Sequence, residues 1–179
     1  DRIYVNRMNK WFAAFVIGKK SLEDGMNILG AHIDSPRIDL KQNPFYEESG
    51  LAMLDTHYYG GIKKYQWVTI PMALHGVVAK TDGTVVNISI GDKPEDPVFG
   101  ISDLLVHLAT EQMDKKAAKV IDGESMNVMI GSMPLKNATE KEAVKANILQ
   151  IIEKTYQIKE EDFLSAEIEV VPAGEARDY

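Results

Sequence analysis

Apolar positions fall into two kinds of pattern along the chain. Near the start, Trp11 to Gly18 and Met26 to Ile33 are short continuous apolar runs with Asp24-Gly25 between them, the pattern of two neighbouring strands. The second run is apolar on both faces up to Gly30, which predicts a strand covered by helices on both sides, as in α/β sheets. Alternation continues from Arg37 to Leu40. Then Gln42-Asn43-Pro44 and Glu47-Glu48-Ser49-Gly50 break it and predict a loop or a crossing between domains.

From there the pattern is β-rich. Residues 51–59 and 67–79 read as strands, and 77–80 faces 84–88 across Thr81-Asp82-Gly83, a strong hairpin signal. After the Pro-containing stretch 92–97, Ser102 is placed to cap a helix running to about Met113. Residues 127–130 form a further short strand. Thr139 and Glu142 have the spacing of a capping box, opening a helix with Val144, Ile148, Ile151 and Ile152 on one face. Last, Ala166, Ile168 and Val170 alternate with Glu167 and Glu169, a strand with one face in water before Pro172.

Composition narrows the function classes. An apolar share of 45% over 179 residues can build a real core. The net charge of -7 with scattered lysines and arginines leaves no footprint for phosphate-backbone binding, so nucleic acid is not an expected partner. No apolar run approaches the ~20 residues that span a bilayer, so no membrane partner is expected and a cytoplasmic location is. With no cysteine, any metal must be held by histidine and carboxylate. Neither Asp1-Arg2-Ile3 nor the final Arg177-Asp178-Tyr179 looks like a natural end, and a longer parent protein is expected.

His32 and Asp34 lie two apart at the end of an apolar run, where period-two geometry would point both side chains to one face. A neutral imidazole suits zinc, and a nearby carboxylate accepting its other N–H fixes the tautomer and raises its basicity. His32 is thus the candidate metal ligand and Asp34 its catalytic orienter. Alone, His-x-Asp also describes a strand-end histidine hydrogen-bonded locally with no metal. His57 and His75 read as structural or surface residues, Lys63-Lys64 as a solvated turn, and Met126, Met129 and Met133 as core or interface filling.

The run Asn27-Ile-Leu-Gly-Ala-His-Ile-Asp-Ser-Pro-Arg37 resembles the aspartyl aminopeptidase family of zinc exopeptidases, whose members carry Gly-x-His-x-Asp-Ser-Pro at the first metal-binding strand. Thr56-His-Tyr-Tyr-Gly-Gly61 and Val106-His-Leu108 extend the likeness. The resemblance implies part of an α/β zinc-peptidase sheet over residues 1–42, an inserted β-rich α+β dimerisation domain over 43–171, and a return to the catalytic domain over 172–179. It implies two zinc ions in the parent enzyme, of whose ligands only His32 is present, and a peptide substrate, possibly one with Asp or Glu at its N-terminus. It also implies a homo-oligomer, a dimer or an assembly of dimers, in which His107 would contact substrate in a partner subunit's site. On its own such a piece would be inactive. The rival reading is a non-catalytic assembly module, and a third is a ligand-binding loop at Thr56–Gly61.

Overall fold

The computed structural model describes residues 1–137, 141–175 and 178. The chain divides into two compact units, Asp1–Asp34 and Ser35–Tyr179.

In the first unit, β1 (Arg2–Arg7) and β2 (Trp11–Val16) form an antiparallel hairpin. Its turn places Met8 and Asn9 at positive φ, and the Arg7 carbonyl accepts from the Lys10 N–H. The strand partner of β2 is therefore the segment before it, which the charges at Arg2 and Arg7 obscured, and not residues 26–33. That run carries no regular structure, and Ile28, Leu29 and Ile33 are 81%, 98% and 67% exposed. The expected strand is corrected here, and the reason is physical. A run apolar on both faces becomes a strand only with hydrogen-bonding neighbours and cover on both sides. No strand among the described residues pairs with it.

The second unit is built on a seven-stranded sheet, entirely antiparallel in its pairings. Its strands are β3 (Arg37–Glu48), β4 (Leu51–Tyr59), β5 (Met72–Ala79), β6 (Val85–Ile90), β7 (Gly100–Ile101), β8 (Val128–Gly131) and β9 (Ala166–Pro172), in the order β6-β5-β9-β3-β4-β8-β7. Phe99, just ahead of β7, bridges to Met72 at the start of β5. The helices are α1 (Lys64–Trp67), α2 (Thr110–Met113), α3 (Ala117–Val120) and the longer α4 (Ala143–Tyr156).

Period-two alternation is kept in register across five strands. Ile90, Leu74, Val170, Ile38 and Tyr58 are cross-strand partners in one row, and Ser89, His75, Glu169, Asp39 and His57 form the next. Adjacent rows point to opposite faces, so one face is core and the other polar. Ile38 and Val170 are completely buried, and each such side chain contributes about 1.5–3 kcal/mol.

Several expected elements changed. β3 runs through Gln42-Asn43-Pro44, because the β3–β4 register shifts between Leu40 and Phe45 and the irregularity accommodates the proline that a regular ladder would exclude. Trp67 belongs to the single turn α1, which includes Lys64, and β5 starts only at Met72. Thr56 lies inside β4, fully buried, with Oγ1 donating to the Met126 carbonyl at 2.7 Å, so Thr56–Gly61 is not a ligand loop.

The expected helix from Ser102 is replaced by a 3-10 turn at Val106–Leu108 followed by α2. Leu105 is extended (φ -63°, ψ 147°), and Asp103 accepts from the Leu104 N–H and the Gln112 side-chain amide. Leu104, Leu105 and Leu108 are 54%, 71% and 70% exposed. With its apolar face unpacked, a short helix has little to hold it. Thr139 of the capping box lies outside the described residues, and Glu142, in left-handed conformation, immediately precedes α4.

Candidate functional site

His32 and Asp34 lie on the exposed, irregular segment that ends the first unit, three and one residues before Ser35, from which Pro36 leads into β3. Both side chains are exposed. Among the described residues no three histidines or carboxylates converge on a metal-sized site. His107 lies in the second unit, exposed on its 3-10 turn.

Within the second unit, the structure brings Pro36-Arg37 against Tyr59-Gly60, joining the two stretches singled out in the sequence. Arg37 pairs with Tyr59 across β3 and β4, and its guanidinium carbon sits 4.0 Å from the Tyr59 ring centroid. Its Nε donates to Asp39 at 2.7 Å and faces Glu169 at 3.2 Å, so one cation neutralises two carboxylates that oppose each other across β3 and β9. Gly60 has φ +76°, and a Cβ there would rest 3.5 Å from the Pro36 Cα. The backbone leaving Ser35 is thereby fixed by β4 and β9.

Sequence reasoning passed over Arg37, Asp39 and Tyr59 as site-supporting residues. The usable signal was their period-two spacing on facing strands. Further along the polar face, Lys41 donates to Asp55 at 3.0 Å and lies 3.5 Å from Glu124, which meets His57 Nδ1 at 2.8 Å. The hydrogen bond it donates to Asp55 is the main cause holding the Lys41 ammonium above its ordinary pKa. His75 Nε2 pairs with Asp92 at 2.8 Å, and Lys64 reaches to 5.0 Å over the Tyr58 ring. Of the three methionines, Met126 is fully buried while Met133 is 73% exposed.

An exposed imidazole and a carboxylate two residues apart can supply one nitrogen donor and its orienting group, but not a complete donor set. Residues 1–179 match the family described as Aminopeptidase I zinc metalloprotease (M18). The chain belongs to the M18 family.

Among M18 relatives, the Clostridium acetobutylicum protein named "Probable M18 family aminopeptidase 1" is 63% identical over 179 residues, which are 100% of this chain and 38% of that protein. The crystal structure of aminopeptidase I from the same organism matches with a TM-score of 0.89 at 61% identity, covering 100% of this chain and 39% of that one. That of an M18 aminopeptidase from Thermotoga maritima matches with a TM-score of 0.87 at 52% identity, covering 94% of this chain and 37% of its own. The chain thus spans well under half the length of these M18 proteins, and its mixed α/β architecture with an antiparallel sheet is theirs.

Proposed function

We propose that the chain is the part of a zinc aminopeptidase that carries its first metal ligand and an inserted dimerisation domain. The supporting observation is the Gly30-Ala31-His32-Ile33-Asp34-Ser35-Pro36 segment, exposed and leading directly into a strand whose start is fixed by Arg37, in a chain that matches the M18 family throughout. Residues 1–42 and 172–179 would belong to the catalytic domain and 43–171 to the insertion. Consistent with this, the β1–β2 hairpin exposes apolar side chains on both faces, Ile3, Phe15 and Trp11 on one and Tyr4, Phe12 and Val16 on the other, as a strand pair does when its covering layers come from elsewhere.

His32 would donate one nitrogen to zinc, and Asp34 would hold that ring in the right tautomer. The remaining ligands and the catalytic base would come from other parts of the parent protein. Zinc held there, two ions by the family resemblance, would supply Lewis acidity for polarising the scissile carbonyl and acidifying a water. His107 would approach the peptide substrate from a neighbouring subunit of a homo-oligomer, a role its exposure permits. A preference for N-terminal Asp or Glu rests on the family resemblance alone, and a cytoplasmic location on the absence of a bilayer-spanning apolar run in this sequence. No helix among the described residues is long and apolar enough to cross a membrane.

The test is His32→Ala in the intact enzyme. Bound zinc by atomic emission should fall, and turnover of aminoacyl p-nitroanilides should drop by more than about 100-fold, with Asp34→Asn costing roughly 10–100-fold. Normal zinc content and turnover in His32→Ala would refute the assignment. The second reading, a non-catalytic assembly module, is favoured by the separate core of Ser35–Tyr179. A stable self-associating chain without hydrolysis supports it for the chain taken alone.

A further inference from the structure

We propose that the second unit holds an uncharged apolar small molecule, an alkyl chain or fused aromatic, in a cavity between α4 and the core face of the sheet. The cavity measures about 290 Å³. Its floor is Phe45, Phe99 and Phe163 with Leu74 and Ile168, all buried. Pro97 and Ile151, which also line it, are exposed, so the cavity reaches the surface of the unit.

Among the side chains that line it, Tyr156 brings the single hydroxyl, and every other is hydrocarbon. Water needs about two to four polar partners to settle in such a space, whereas dry apolar cavities of ~150 Å³ take up benzene. The volume here is about twice that, with room for roughly a dozen carbon atoms. No charged side chain lines the interior, so charge cannot select the ligand. Size and apolarity do. Double-chained lipids are too large, which leaves a soluble single-chain or bicyclic molecule.

The two walls are pinned to each other at the start of α4 and at Gly131, which sets the spacing between helix and sheet. The first turn of α4 is fixed by Glu47 of β3, whose Oε2 accepts from the Val144 and Lys145 N–H groups at 2.9 and 3.0 Å. Gly131 meets Ile148 so closely that a Cβ there would lie 2.7 Å from its Cδ1. A ligand bridging helix and sheet would add contacts to both and raise the melting temperature by an amount that grows with the logarithm of its concentration above Kd.

The probe is 1-naphthylamine, a bicyclic molecule of ten carbons that is uncharged at neutral pH, followed by fluorescence in the purified protein and competed with n-decanol. One saturable site per chain, displaced by decanol, is expected. Ile152→Phe and Ile130→Phe, which fill the cavity, should weaken uptake at least tenfold, while the exposed Val98→Phe should leave it unchanged. Leu74→Ala enlarges the cavity and should shift preference from octanol toward dodecanol, giving a readout even if a filling variant fails to fold. The proposal is overturned by absence of saturable uptake, by equal uptake in the filled variants, or by release of probe as rising protein concentration drives copies together. That last result would give the cavity to a neighbouring chain's side chain.

Discussion

Asp96 shows how one carboxylate can order a turn at the surface. Its Oδ2 accepts from the Gly91 N–H at 2.9 Å and the Lys93 N–H at 3.2 Å, and these bonds, Gly91 first, hold its pKa below the ordinary 3.8. Because the folded-state pKa lies below the unfolded one, the stabilisation is complete above the unfolded value and is lost as pH falls through the folded value. Asp96→Asn should therefore lower the urea midpoint at pH 7, and the gap from the parent should close as pH falls below about 4. A gap unchanged down to pH 2.5 would show that the ionised carboxylate is not what matters. Residues of this kind were legible only as a Pro-rich loop, since the sequence shows a turn but not which amides its carboxylate collects.

Elements were legible wherever a segment carries its own face. Ala166–Val170 alternates apolar with acidic residues, Leu51–Tyr59 buries every second residue from Ala52 to Thr56, both are strands, and Thr81-Asp82-Gly83 turns between β5 and β6 with Gly83 at φ +86°. What sequence could not show was pairing at a distance. The run 26–33 has strand composition without a partner, and the start of α4 depends on a residue in β3. Glu47 satisfies two of the amides that a helix leaves open at its N-terminus, while Glu142 ahead of the helix makes no side-chain cap bond. Glu47→Ala should cost about 0.5–2 kcal/mol. Hydrogen exchange would localise the loss, with faster exchange at Val144 and Lys145 and little change in β5 or β9. Uniform acceleration across the sheet would mean that Glu47 supports β3 instead.

At the scale of the molecule, the same physics that denied an α-helix to Ser102–Ala109 leaves an apolar surface. Leu104, Leu105, Val106 and Leu108 are 54%, 71%, 63% and 70% exposed around His107, a concentration that ordinary monomer surfaces rarely carry without an interaction. If these residues meet another copy, as the proposed dimerisation domain requires, each buried leucine contributes about 1.5–3 kcal/mol to association. A glutamate in its place must also be desolvated. Leu105→Glu should then weaken self-association at least tenfold, read by light scattering across a concentration series. Its melting temperature at high dilution should match the parent's, because Leu105 supports nothing within its own chain. If the mass distribution is unchanged while stability falls, the leucines serve the fold of their own subunit, and His107 loses its route to a neighbour's substrate.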